Sequence, residues 1–440
     1  MPWDRVAWVA IVIGTLARGL VLILHPPLDY VYSDMAGYVV GAQHLVTGGP
    51  QSRLEAFFPS GTHLVLAIPL LAFGSGRSGL WAASILWFVL GSVSPWLAWR
   101  WARRILPVPA AALAGIGCAL WPLFVTQVGF FMSELPAITF LLASLLVASR
   151  IRDGASRALT AELLLLGVLV GLGITVRPQL LLNDVLAIVP VVWLLRRRLP
   201  ALGALAIATV LPIGLIVAIN SDAAGRFTLL SENTGVNFFL AQCNAGSVVA
   251  YGPHSTYEIE TPVYTQTHNG RSYLFEGHDI WDQRFFFGQA GDCIRAEGVG
   301  QVGLVARHVL DLTVTSVPWP QYDDPGMRGV VRAVNRAYGL ALPTIIVASF
   351  IVFWRRRPAN RAPRLVLAHL LCVLPTVVVF LSEPRFRVPY DVFGLTLVAA
   401  LLSRLLGLEH QSPPGVSPRE GSVHDVDPPG SRYRFRATNR

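Results

Sequence analysis

Apolar runs of roughly 18 residues or more recur along the whole length of this 440-residue chain. In lipid every backbone polar group needs a partner inside the protein, so a chain built of such runs folds as a bundle of membrane-crossing helices. Charged residues make up 14% of it, against about 25% in a soluble domain. Ten spans are expected, at about 6–24, 80–99, 108–126, 134–149, 159–176, 179–195, 199–219, 338–354, 364–381 and 387–406. The first, "VAWVAIVIGTLARGLVLIL", is too long for the apolar part of a cleaved signal and lacks a small-residue cleavage site, so it reads as a retained span.

Arg clusters orient the bundle, because basic residues gather in cytoplasmic loops. They stand at Arg100, Arg103 and Arg104, at Arg150, Arg152 and Arg157, at 196–198 and at 355–364. All of them fall on one side only if "HLVLAIPLLAFG", 63–74, is not a crossing. That run is short and contains Pro69, so it reads as a helix lying at the outer surface or re-entrant, with both termini cytoplasmic. The net charge of +9 belongs to this orientation and is no sign of nucleic-acid binding.

Two segments then face outward at length: 25–79, and 220–337, which is expected to form a small lobe of mixed α and β structure. Cys243 and Cys293 lie in the second and form a disulfide if it faces an oxidising compartment. Residues 411–440, rich in Pro and poor in apolar residues, read as a disordered cytoplasmic tail.

The residues that carry chemistry gather at the outer boundary. Asp34 opens "DMAGYVVGAQHLVTGG", and a helix there puts Asp34, Tyr38 and Gly41 on one face. A partly desolvated acid in that place suits a general base; the plain alternative is a loop acid at a helix N-terminus. Glu134, in "FFMSELPAITFLL", is a second outward acid or simply the first turn of a helix capped by Ser133. Arg177, in "TVRPQ", sits outside against the positive-inside trend. It grips an anionic headgroup, snorkels, or pairs with Asp184. "SEPRFRVPYDVF" brings Arg385, Arg387 and Tyr390 to the entry of the last span, to hold a phosphate and its sugar or to anchor an aromatic belt. His63, in "PSGTH", lines the same cavity. His254, His268 and His278 show no metal-ligand spacing, so no metal is assigned there, and no nucleotide or hydrolase motif appears.

In order and spacing these stretches resemble the GT-C superfamily of membrane glycosyltransferases, in the bacterial branch near the protein O-mannosyltransferases and the lipid A aminoarabinose transferase (glycosyltransferase family 39-like). The resemblance covers about 1–406 and implies a sugar donor carried on polyprenyl phosphate, a lipid, glycan or protein acceptor, and a multi-pass enzyme of the plasma (inner) membrane working on its extracytoplasmic face. It implies catalytic roles for Asp34 and Glu134, and donor-binding roles for His63, Arg177, Arg385, Arg387 and Tyr390, with Arg387 favoured over Arg385 for the phosphate and Asp34 left without a cation of its own. The expected organisation is a transmembrane catalytic module at 1–219, the lobe at 220–337, C-terminal helices at 338–410 and the tail. The first loop holds one acid at the key point where many members have a pair, so a divalent metal is permitted and not required. A transporter or flippase, a polysaccharide polymerase, and a non-catalytic partner of the same fold are the alternatives.

Overall fold

The computed structural model describes residues 2–49, 53–154, 158–243, 265–268, 271–274, 281–314, 317–355, 357–380 and 383–408. Helix α1 (Pro2–Leu24) is the first span. Three shorter helices follow: α2 (Asp34–Thr47), α3 (Arg53–Phe57) and α4 (Gly61–Phe73). Next come α5 (Arg77–Ile105), α6 (Val108–Leu120), α7 (Pro122–Thr126), α8 (Glu134–Arg152), α9 (Leu159–Val176), α10 (Leu181–Leu195) and α11 (Leu199–Ala224). Helix α12 (Thr234–Gln242), an antiparallel hairpin of β1 (Thr265–His268) and β2 (Arg271–Leu274), α13 (Gln283–Glu297) and α14 (Gly300–Val314) precede α15 (Pro325–Phe353), α16 (Arg361–Leu371), α17 (Val373–Val379) and α18 (Asp391–Leu405). Among the described residues nine helices are long and apolar enough to cross a membrane, and the bent pair of α6 with α7 makes up to ten. The protein is a nearly all-helical, multi-pass integral membrane protein. Leu16, Ile23, Leu71, Trp193, Leu199 and Ile207 point outward, as suits side chains facing lipid tails.

Ion pairs between helix ends fix which ends lie together. Arg103 near the end of α5 meets Asp4 at the start of α1 (3.4 Å), and Arg104 meets Asp153 just after α8 (3.1 Å). Arg150 in α8 reaches Glu162 in α9 (2.6 Å). At the opposite end Arg77, which starts α5, meets Asp29 beyond α1 (3.5 Å). Helix α1 therefore runs from the first end to the second and α5 runs back, so α4 between them does not carry the chain across.

The kink between α6 and α7, 47° at Trp121, leaves carbonyls of α6 without partners. Arg18, buried in α1, donates to Ala119 O (2.8 Å) and Cys118 O (3.4 Å), as well as to Gly14 O in its own helix (3.0 Å). A charge inside a span is costly unless so engaged. Gly14 is required here, because a Cβ would stand 2.3 Å from Ala119 O.

One expectation is corrected. The span expected at 338–354 begins at Pro325, inside the segment that hydropathy assigns to the lobe. Asp324 caps it by accepting from Met327 N (2.8 Å), Pro325 stands in its first turn, and Met327, Val331, Asn335 and Tyr338 form a buried face that the intervening Arg residues hide in a hydropathy average. Within 220–337, where a mixed lobe is expected, the described residues hold one hairpin and α12 against α13, joined by Phe239 on Phe286 (5.6 Å) and by the Cys243–Cys293 disulfide. The tail at 411–440 lies outside the described residues, as do His254 and His278.

Candidate active site

Helix α2 begins at Asp34, and the residue before it is strained. Ser33 has φ 50°, ψ −132°, a backbone region that costs a non-glycine residue about 1–3 kcal/mol. The helix then holds Tyr38 and Gly41 on the Asp34 face. Gly41 packs on His63, where a Cβ would lie 2.6 Å from the ring, and Tyr38 stacks edge-on to Phe58 (5.4 Å). Gly61 lets α4 approach the backbone of Thr175 and Val176, within 2.4–2.6 Å of where a Cβ would be, which fixes the chain just before Arg177.

Around this scaffold three acids and two guanidiniums alternate at one end of the bundle. Arg385 donates from Nη1 to Asp34 Oδ2 (2.7 Å), and its Nε lies 2.7 Å from Glu383 Oε2. Arg177 Nη1 donates to Ser133 Oγ (2.8 Å) and lies 2.8 Å from Glu134 Oε1. The Phe386 ring stands 5.5 Å from each guanidinium, and Trp319 lies 5.1 Å from Arg385, so aromatic faces hold both cations in place. Arg177 and Glu134 are almost wholly buried, yet Arg177 Nε and Nη2, Arg385 Nε and both Glu134 oxygens make no aligned hydrogen bond among the described residues. Such buried N–H groups are expensive to leave unmatched and mark a place where an anion would be held.

Burial raises the Glu383 carboxyl to about 7; Asp34 and Glu134 push the same way, while Arg385 and Arg177 oppose. Burial also raises the Tyr38 hydroxyl, helped by Asp34 and Glu134, and lowers His63 to about 3, so His63 is neutral at physiological pH.

Several sequence expectations meet a different arrangement. Asp34 was expected to lack a cation; Arg385, distant in sequence, supplies one. Arg177 pairs with Glu134 and not with Asp184, which is buried in α10 and makes no hydrogen bond among the described residues. The Ser133 hydroxyl accepts from Arg177 instead of capping α8. Nearby, Arg53 pairs with Glu232 (2.8 Å), and Glu55 with His44 (2.7 Å).

Arg387 is not brought to the cluster. Its Nε donates to Asp391 Oδ1 (2.9 Å), its Nη1 to Leu312 O (3.0 Å) and its Nη2 to Asn335 Oδ1, in a wholly buried site under Tyr338. All of its nitrogens are engaged, and none is left for a phosphate. Tyr390 is likewise buried and donates to Gln179 O (3.0 Å). His63 supports Tyr38 from below, 5.9 Å between rings. Sequence reasoning missed Glu383, Trp319 and Phe386; Glu383 was in view, two residues before Arg385 in "SEPRFR". Among the described residues no three His, Cys, Asp or Glu side chains are grouped to hold a metal ion.

Residues 62–218 match the sequence family described as dolichyl-phosphate-mannose-protein mannosyltransferase. This match lies within the GT-C glycosyltransferases, which the chain resembles. No curated protein matches it in sequence. Among solved structures it is similar to the Archaeoglobus fulgidus oligosaccharyltransferase tethered with an acceptor peptide, at 13% identity and a TM-score of 0.46, covering 91% of this chain and 50% of that one. The oligosaccharyltransferase AglB from the same organism, in complex with an inhibitory peptide and a dolichol-phosphate, gives 14% and 0.45, over 93% and 52%. ArnT from Cupriavidus metallidurans gives 14% and 0.36, over 90% and 77%. The chain spans about half the length of the archaeal enzymes it matches.

Proposed function

We propose that this protein is a membrane glycosyltransferase that moves a sugar from a polyprenyl-phosphate carrier to an acceptor on the extracytoplasmic side. The observation that carries the reading is the buried alternation of Asp34, Arg385 and Glu383 with Glu134 and Arg177, in which guanidinium N–H groups lack aligned acceptors. It agrees with a family described by its dolichyl-phosphate-mannose donor. Two features favour the outer face. The Arg-rich helix ends, Arg103, Arg104 and Arg150, lie at the opposite end of the bundle. The lobe, tied to the site's end by Glu232 on Arg53, carries the Cys243–Cys293 disulfide, which persists in an oxidising compartment.

In this reading the donor phosphodiester lies against Arg385 and Arg177, each held by an aromatic ring and a carboxylate before substrate arrives. Arg385 engages only Oδ2 of Asp34. Asp34 accepts the proton of the acceptor's hydroxyl or amine as that group attacks the anomeric carbon. The bond between the anomeric carbon and the phosphate oxygen breaks, and the polyprenyl phosphate leaves with its electrons, stabilised by the two guanidiniums. One displacement inverts the anomeric centre, whether the sugar is a hexose or a pentose. Glu134 orients Arg177 from below. The lobe selects the acceptor, and 1–219 is the catalytic module.

Purified protein in lipid, given a panel of polyprenyl-phosphate and polyprenyl-diphosphate sugars with candidate acceptors, tests the class. The monophosphate donors are expected to release free polyprenyl phosphate. Turnover confined to diphosphate donors would instead make the protein a polymerase or a related enzyme.

A further inference from the structure

Arg385 is shared by two acids that hold it unequally. Asp34 accepts a true hydrogen bond from Nη1, whereas Glu383 approaches Nε at 2.7 Å without hydrogen-bond alignment. The Glu383 side chain is also the most open of the three acids, 22% exposed against 13% for Asp34 and 1% for Glu134. If all five groups are ionised, three negative charges face two positive ones. A phosphodiester entering such a site adds a further negative charge, which a partly buried cluster accommodates only if one acid leaves Arg385 or becomes neutral. We infer that Glu383 is the resident counter-ion of the donor-phosphate site: it covers the Nε edge of Arg385 until a phosphodiester replaces it there, and, staying in the pocket beside Asp34 and Glu134, it takes up a proton from solvent. This rests on the proposed polyprenyl-phosphate reading and makes Glu383 a positioning residue that acts through Arg385.

The sign follows from the groups that face Glu383. Arg385 and Arg177 favour its charged form; Asp34 and Glu134 disfavour it, and Tyr38 and Trp319 line the same pocket as neutral groups. Before binding, the carboxyl titrates at about 7. Once the phosphate neutralises Arg385, the main favourable partner is lost and the group binds its proton more tightly. Binding is then insensitive to pH below that titration, where Glu383 is already protonated. It weakens as pH rises through it, by at most roughly tenfold per pH unit, and proton uptake appears in the same range.

The test is calorimetry on full-length protein in nanodiscs, with a farnesyl phosphodiester of mannose as probe, since its single charge does not titrate over the range used. Measurements from about pH 6 to about 8.5 in two buffers of different ionisation enthalpy count the protons. Wild type is expected to take up close to one proton per ligand near the top of this range. Glu383→Gln is expected to take up none and to bind with an affinity that no longer falls with pH. Glu383→Asp, which restores a carboxyl, is expected to restore uptake. Wild-type binding without proton uptake, or equal uptake by wild type and Glu383→Gln, would overturn the inference and leave the donor assignment standing. No binding by wild type would remove both. The wild-type measurement decides even if a variant fails to fold.

Discussion

Arg385 and Arg387 stand two places apart, yet their surroundings have nothing in common. The turn Pro384–Tyr390 is a 3-10 helix, so residues two apart point about 120° away from one another. One guanidinium reaches Asp34 and Glu383; the other is enclosed by Asp391, Leu312 and Asn335. Their alanine variants should therefore fail differently. Arg387→Ala leaves the Asp391 carboxylate buried without its cation and should cost about 3–5 kcal/mol of stability, seen as a large fall in thermal unfolding temperature in detergent. Arg385→Ala strands Asp34 and Glu383, which keep 13% and 22% exposure, so it should lower the unfolding temperature less than Arg387→Ala does and should lose donor binding. The reverse pattern would mean that the two side chains have been given each other's parts. The sequence shows that basic residues enter the last span together. Which of them faces the cluster depends on the geometry of that turn and on Asn335 and Leu312, far away in the chain. Asp34 and Glu134 were legible as acids that each open a helix after an apolar run, but their cations come from 177 and 385, and no local pattern announces such pairs.

At the scale of helices, long apolar elements were the most legible, since length and hydropathy alone define them. What hydropathy does not register is how a span is broken or where it truly begins. Arg18 inside α1 looks like an expensive charge in lipid until α6 is seen to end at Trp121, with its carbonyls turned toward that guanidinium. Arg18→Met keeps the bulk and removes the donors, leaving Ala119 O and Cys118 O without this partner. The expected loss is about 1–3 kcal/mol, read as a lower unfolding temperature, with donor affinity close to wild type because no cluster residue is touched. An unchanged unfolding temperature would show that the kink does not depend on Arg18. The start of α15 was hidden for a related reason: Arg328, Arg332 and Arg336 interrupt the apolar run, while the buried face between them continues without a break.

For the whole molecule, the ion pairs between helix ends require that α1 and α5 run in opposite directions, with α4 staying at the site's end. Single cysteines at the exposed Arg77 and Arg197 test this in intact cells, with Cys118 and Cys372 buried and quiet. Arg77→Cys should react with a membrane-impermeant reagent and Arg197→Cys should not; labelling only at 197 would invert the protein and move its site to the cytoplasm. The central claim, that the Asp34 cluster transfers sugar from a polyprenyl phosphate, is tested most directly by turnover in lipid. Release of free polyprenyl phosphate would be compared for wild type and Asp34→Asn at matched folding and acceptor concentration. The account predicts release by wild type and a fall of about 10²–10⁴-fold in the variant, the range expected when a general base is removed. Equal release by the two would contradict it, since the proton would then be accepted elsewhere.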